Sequence, residues 1–135
     1  MSSSIEAVAL LIKKAQHRHH RWMDAALAAL DLTLVQWNAL REIHRNPGAS
    51  MHRLADLTFN SDQAFGMLAT RLLRAGLILR VQGPGRATQH RLTEKGEALF
   101  RQGDVLVQEI FAKSFASLSE PERDALAALL TKLLG

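Results

Sequence analysis

The chain has 135 residues, 47% of them apolar and 22% charged, with no cysteine; that is one ordinary folded domain, and it excludes a disordered chain, disulfides, thiolate metal sites and cysteine nucleophiles together. No apolar run approaches the roughly 18–20 residues of a bilayer span, and Met1-Ser2-Ser3-Ser4-Ile5-Glu6 has no basic region before an apolar stretch, so neither membrane insertion nor secretion is expected and the expected location is the cytoplasm. The net charge of +4 is concentrated in the middle of the chain, where Arg41, Arg45, Arg53, Arg71, Arg74, Arg80, Arg86 and Arg91 face only Glu42, Asp56 and Asp62, as on a surface that meets a polyanion.

The first element is a long helix over residues 4–30, because Ile5, Val8, Ala9, Ile12, His19, Trp22, Ala26, Leu27 and Leu30 recur at three- and four-residue steps. Asp31-Leu32 interrupts it. Thr33 and Gln36 form a capping box for a second helix, which Pro47-Gly48 ends after about Asn46. Ser50 caps a short third helix from Met51 to about Thr58. Asn60, with Gln63 three residues on, opens a fourth that reaches Arg74 or Ala75, with Gly76 as the residue beyond its end and Phe65, Met67, Leu68 and Leu72 toward the core. Two short helices joined by a tight turn, the second arginine-bearing, have the helix-turn-helix arrangement.

Leu77–Val81 reads as a strand, Gly83-Pro84-Gly85-Arg86 as a turn and Ala87–Leu92 as the returning strand. A hairpin is marginal alone and must lean on the helices. Thr93 caps a helix to about Ser117 with Leu99, Val105, Leu106, Ile110, Phe111 and Phe115 as its apolar set. Ser119-Glu120-Pro121-Glu122 then opens a last helix that buries Leu126, Leu129, Leu130, Leu133 and Leu134. One small lobe is too little to cover both this stripe and the first helix, so a dimer through the terminal helices is expected.

Leu32-Thr33-x-x-Gln36-Trp37-x-x-Leu40, Pro47-Gly48-x-Ser50, Leu54-Ala55, Gly76-Leu77-Ile78-x-Arg80, Gly85-Arg86-Ala87 and Leu92-Thr93-x-x-Gly96 follow one another in order, and this set resembles the MarR family of bacterial transcription regulators. The resemblance implies a mainly α fold with a small β-hairpin wing, a winged helix-turn-helix flanked by N- and C-terminal dimerisation helices. It implies a single domain over 1–135, with the DNA-binding lobe at 33–92 and the dimerisation helices at 1–32 and 93–135. It also implies a homodimer on a pseudo-palindromic operator in double-stranded DNA, usually a repressor released by a small hydrophobic or aromatic ligand, with no cofactor and no membrane partner. Two positions depart from the family pattern: Pro84 stands where an Asp commonly precedes the wing arginine, and Gly66-Met67 where Ser/Thr and Arg are common. Glycine inside a helix costs roughly 1 kcal/mol against alanine, so Gly66 points to a close approach by DNA or a neighbouring helix.

On this reading the base- and phosphate-contacting candidates are Ser61, Gln63, Gly66, Thr70 and Arg71 on the recognition helix, Arg86 on the wing, and His52 and Arg53 at the start of the third helix. Trp22, Met23, Trp37 and His44 offer walls for a ligand cleft, with Arg41 and His44 placed to meet a carboxylate. His17, His20 and Asp24 share a helical face at chelating spacing, which leaves a metal-sensing regulator as an alternative, although a solvated polar face is the first expectation. His19, on the apolar stripe, is expected to be a buried or interface histidine. A winged-helix protein–protein adaptor without DNA binding is the other alternative. No Gly-rich phosphate loop, HExxH or GxSxG is present, so an enzyme is not expected.

Overall fold

The computed structural model describes residues 4–83, 85 and 88–135; Pro84 and Arg86, singled out above, lie outside the described residues. Among the described residues, six α-helices and a hairpin follow one another: α1 (Ile5–Leu27), α2 (Leu34–Arg45), α3 (Met51–Leu57), α4 (Asp62–Arg74), β1 (Ile78–Gln82), β2 (Thr88–Leu92), α5 (Glu94–Ser114) and α6 (Glu120–Leu134). Side-chain oxygens set where the helices begin. The Ser4 hydroxyl accepts from the Ala7 N–H and starts α1. Both expected capping boxes are formed, Thr33 with Gln36 for α2 and Ser119 with Glu122 for α6.

The first strand is shifted by one residue from the sequence reading, and three helix boundaries differ from it. The long first helix ends at Leu27 and tightens into a 3₁₀ turn, Ala28–Leu30, before Asp31 takes φ 60°. The cap of α4 is Ser61, whose hydroxyl accepts from the Ala64 N–H; Asn60 instead closes α3, its N–H donating to Ala55 O and its side chain to Thr58. α5 stops at Ser114 rather than Ser117.

The hairpin pairs antiparallel with Ile78 opposite Leu92 and Arg80 opposite His90. It leans on α2 and α5. Gly76, at φ +72°, turns the chain out of α4. Thr93 then ties three elements together: its N–H donates to Leu77 O, its hydroxyl donates to Gly76 O and accepts from the Gly96 N–H. A Cβ on Gly96 would overlap Leu77 O, so only glycine lets α5 start this close to β1. His90 is buried with both ring nitrogens unpartnered among the described residues. Burial first, and Arg80 second, hold its pKa below the ordinary imidazole range, so it packs as a neutral ring.

Trp37, Phe65, Leu27, Leu40, Leu54, Leu72 and Val107 are almost wholly enclosed, and each such side chain contributes about 1.5–3 kcal/mol through apolar burial. α5 packs on α1 and α2, and its buried residues are Gly96, Gly103, Val107 and Ser114. Val105, expected inside, is exposed, and so is Met67 on α4. The α6 leucines expected to be buried are not covered by their own chain: Leu129 is 65% and Leu133 67% exposed.

Trp37 is fixed by a hydrogen bond from Nε1 to Phe100 O, 3.1 Å, and by stacking on the Phe100 ring at 5.9 Å. Against it lies Gly103, where an added Cβ would stand 2.5 Å from Trp37 Cδ1 and 3.2 Å from Leu27 Cδ2. Gly103→Ala is therefore expected to destabilise the protein by about 2 kcal/mol although alanine is the better helix former. Chemical denaturation measures it, and an unchanged midpoint would show that the indole has room to move.

Candidate functional site

The second helix of the helix-turn-helix, α4, divides cleanly. Phe65, Leu68, Ala69 and Leu72 are buried against the lobe, while Gln63, Met67, Arg71 and Arg74 are exposed at four- and three-residue steps along the opposite face. Among the described residues Arg71 and Arg74 enter no ion pair. Gly66 and Thr70 flank this face, half-buried. The Thr70 hydroxyl donates to Gly66 O at 3.0 Å, and the Ser61 hydroxyl is engaged as the cap, so Thr70 keeps only lone pairs for an outside donor and Ser61 has one of its own already used. A Cβ on Gly66 would meet only Met51 Cε, at 3.8 Å, which is ordinary contact; the neighbouring helix does not require this glycine.

The start of α3 stands beside the start of α4. His52 Nδ1 lies 2.9 Å from Asp62 Oδ1, and Arg53 pairs with Asp56 at 3.6 Å. The hydrogen bond to Asp62, with its charge, raises the His52 pKa above the ordinary value. Asp62 stabilises the N-terminus of α4, and protonated His52 offsets its negative charge at the end of the helix that would enter a polyanion. The structure thus brings Ser61, Gln63, Gly66, Thr70, Arg71, His52 and Arg53 to one side of the lobe; Arg86 lies outside the described residues.

Of the five residues expected to form a ligand cleft, Trp22, Trp37, Arg41 and His44 do not line one among the described residues. Trp37 is core, 1% exposed. Arg41 lies over its ring at 5.1 Å and pairs with buried Glu42. His44 packs on Phe100 and meets Glu97 at 3.1 Å, so these side chains close the α2–α5 contact instead of opening it. Trp22 is apart from them, held between the Arg18 guanidinium at 4.7 Å and the Lys113 ammonium at 5.0 Å.

A cavity at another position lies between α1, α5 and α6. Its volume is about 760 Å³, and its walls include Leu11, Ile12, Met23, Phe111, Leu126 and Leu130. Met23 is the one residue of the expected cleft that reaches it. Its polar side is Arg18, which donates to Ser114 Oγ at 3.2 Å, and His19, hydrogen-bonded to the same oxygen and flanked by Phe111 and Phe115. Burial, then Arg18, lowers the His19 pKa. The three- and four-residue stripe of α1 carried a signal for this cavity; Ser114, a polar residue in an apolar set, carried none.

His20 and Asp24 meet at 3.2 Å, and the other Asp24 oxygen accepts the Leu34 N–H at 2.7 Å. Asp24 therefore helps start α2. Among the described residues no group of three or more His, Asp or Glu is arranged to hold a metal ion, so the His17/His20/Asp24 set is not assembled. No described helix is long and apolar enough to cross a membrane.

Comparison with known proteins agrees with this geometry. A MarR family model matches residues 30–87. The HTH-type transcriptional repressor Rv2887 of Mycobacterium tuberculosis is 31% identical over 113 residues, covering 82% of this chain and 81% of its own length. Among solved structures, a mutant MarR from E. coli complexed with operator DNA superposes with a TM-score of 0.88 at 24% identity, covering 95% of this chain and 94% of that one. Rv2887 in complex with p-aminosalicylic acid gives 0.77 at 26%, covering 98% and 100%. With a recognition-type helix held between α3 and a hairpin wing, and a repressor relative matched over most of both chains, the chain belongs to the MarR family of winged-helix transcription regulators.

Proposed function

We propose that the protein is a homodimeric repressor that reads a pseudo-palindromic operator with α4 and releases it on binding a small aromatic acid. The observation that carries this reading is the exposed face of α4, where Gln63 and Arg71 are free to donate to base edges and phosphates within the segment where the arginines concentrate. Residues 33–92 form the DNA-binding lobe on this reading, with Arg86 at the wing for the minor groove, and 1–32 and 93–135 form the dimerisation helices.

The exposed apolar side chains support the dimer. Ile5, Val8, Leu11 and Ile12, on one side of α1, and Leu126, Leu129, Leu133 and Leu134 on α6 are more than a third exposed, the kind of apolar surface that marks an interface. A second copy brings the same two helices and is the natural cover. For the ligand, Rv2887 has been seen with p-aminosalicylic acid and, in a further structure, with salicylic acid. The α1–α5–α6 cavity, whose outer walls Leu11, Ile12 and Leu126 a second copy would cover, has apolar walls for a molecule of that class, and Arg18 and His19 supply a cationic and a hydrogen-bonding group for its carboxylate.

Binding to DNA selected from a random duplex pool tests the function. A slope of log affinity on log salt of about −0.9 per phosphate neutralised is expected, and Arg86→Ala should weaken binding by roughly 1–3 kcal/mol. Salicylate should release the operator and change Trp22 fluorescence, since Trp22 stacks on Arg18; release that survives in Arg18→Ala would place the ligand elsewhere. No binding to any duplex in the pool, and so no salt-dependent affinity, would point to the adaptor instead.

The interface has its own test. Leu129→Glu combined with Leu133→Glu alters side chains that their own chain leaves exposed, so the fold should persist while sedimentation shows a monomer and operator binding is lost. A persistent dimer would move the interface off α6.

The His52–Asp62 pair gives a pH dependence. Because its folded pKa is raised above 6.5, the pair's stabilising contribution is fully present below the unfolded value and is lost as pH rises through the folded one. Operator affinity is expected to fall as pH rises above 6.5 and through the raised His52 value, as His52 loses its charge and leaves Asp62 uncompensated. His52→Ala should flatten that dependence; an identical profile in the variant would remove the pair from the DNA site.

A further inference from the structure

Met67 stands at the centre of the α4 face that carries Gln63 four residues before it and Arg71 four residues after it, and its side chain is 58% exposed. The core on the other side of the helix is filled by Phe65, Leu68, Ala69 and Leu72. Next to Met67 is Gly66, without a side chain, and Ala64 is exposed on the preceding turn. A lone exposed methionine on a protein surface needs no explanation. This one sits between two side chains suited to base edges, on a strip with little else to hold it from the DNA.

We infer that Met67 is a specificity-determining residue that packs on the 5-methyl group of a thymine in each operator half-site. The major groove presents acceptors, donors and a single kind of apolar group on unmodified bases, the thymine methyl. A thioether side chain has no donor with which to read the other groups, and it adapts its shape to a small apolar partner. Gly66 lowers the helix surface beside it, so α4 can sit deep enough for a side chain of this length to reach the methyl. Gln63 suits adenine and Arg71 suits guanine or phosphate, so the thymine lies between the positions that these two residues read. The inference rests on α4 being the DNA-reading helix.

The test uses the full chain and the duplex selected from random DNA, with each thymine in turn replaced by deoxyuridine, which removes the methyl and leaves the pairing edge. At one position per half-site the replacement is expected to weaken wild-type binding by about 3–5-fold, the equivalent of one buried methyl. Met67→Ala should bind the unmodified operator more weakly by a similar factor and be indifferent to deoxyuridine there, while Met67→Leu keeps the sensitivity. Because Met67 is exposed, thermal unfolding of both variants should match the parent. Deoxyuridine effects of equal size in the parent and Met67→Ala, or none at any position, overturn the assignment while the DNA-reading function stands. A chain that selects no sequence from the pool overturns both.

Discussion

Trp37 needs a neighbour with no side chain, and Gly103 is that neighbour. The indole enters the place where α1, α2 and α5 converge, stacks on Phe100, donates to its carbonyl, and fills space that a single methyl on Gly103 would occupy. Interiors packed at this density do not deform smoothly. α2 is therefore locked to the long helices beside it, and the winged-helix lobe has little freedom to swing at this point. Gly96 makes the same argument in the first turn of α5, where the absence of a Cβ lets Leu77 O come close enough for Thr93 to bind the strand, the turn and the helix at once.

That constraint also explains which parts of the fold are legible in the sequence. Capping boxes are local, and Thr33–Gln36 and Ser119–Glu122 stand as their spacing predicts. The start of α4 differs by one residue because Asn60 and Ser61 both suit a cap; what decides is the preceding helix, since the Asn60 N–H is needed by Ala55 O to close α3. α5 is legible in part: Leu99, Ile110 and Phe111 pack on the core as their spacing predicts, and Val105 does not. Its buried face is Gly96, Gly103, Val107 and Ser114, small residues that permit close approach, so an apolar count selects Val105 two residues away. Trp37 and His44 suit a ligand cleft on sequence because aromatic rings line cavities and cores alike, and only packing separates the two.

The recognition surface shows the converse. Its composition is legible, but three of its polar side chains turn out to be engaged at home: Ser61 in capping, Thr70 on Gly66 O and Asp62 on His52. Groups already satisfied have less to gain from a base edge than groups that are exposed and unpaired. On the proposed reading, the discriminating chemistry of α4 thereby narrows to Gln63 and Arg71, with the apolar Met67 between them, a face less rich in donors than the sequence suggests.

The cavity and the lobe are joined by a short run of direct contacts. His20 lines the cavity and pairs with Asp24 one turn on, and Asp24 accepts the first free N–H of α2 at Leu34, which itself reaches the cavity wall. α2 in turn carries Trp37. A ligand that displaced His20 or Leu34 would act on the start of α2, where one carboxylate holds both the long α1 and the first helix of the lobe. With Trp37 clamped by Gly103, a displacement at that end would tilt the lobe about the indole instead of sliding it. A dimer that must hold two recognition helices at the spacing of successive major grooves is sensitive to tilt of that kind, and a ligand shifts the bound fraction by as much as it prefers one tilt over the other.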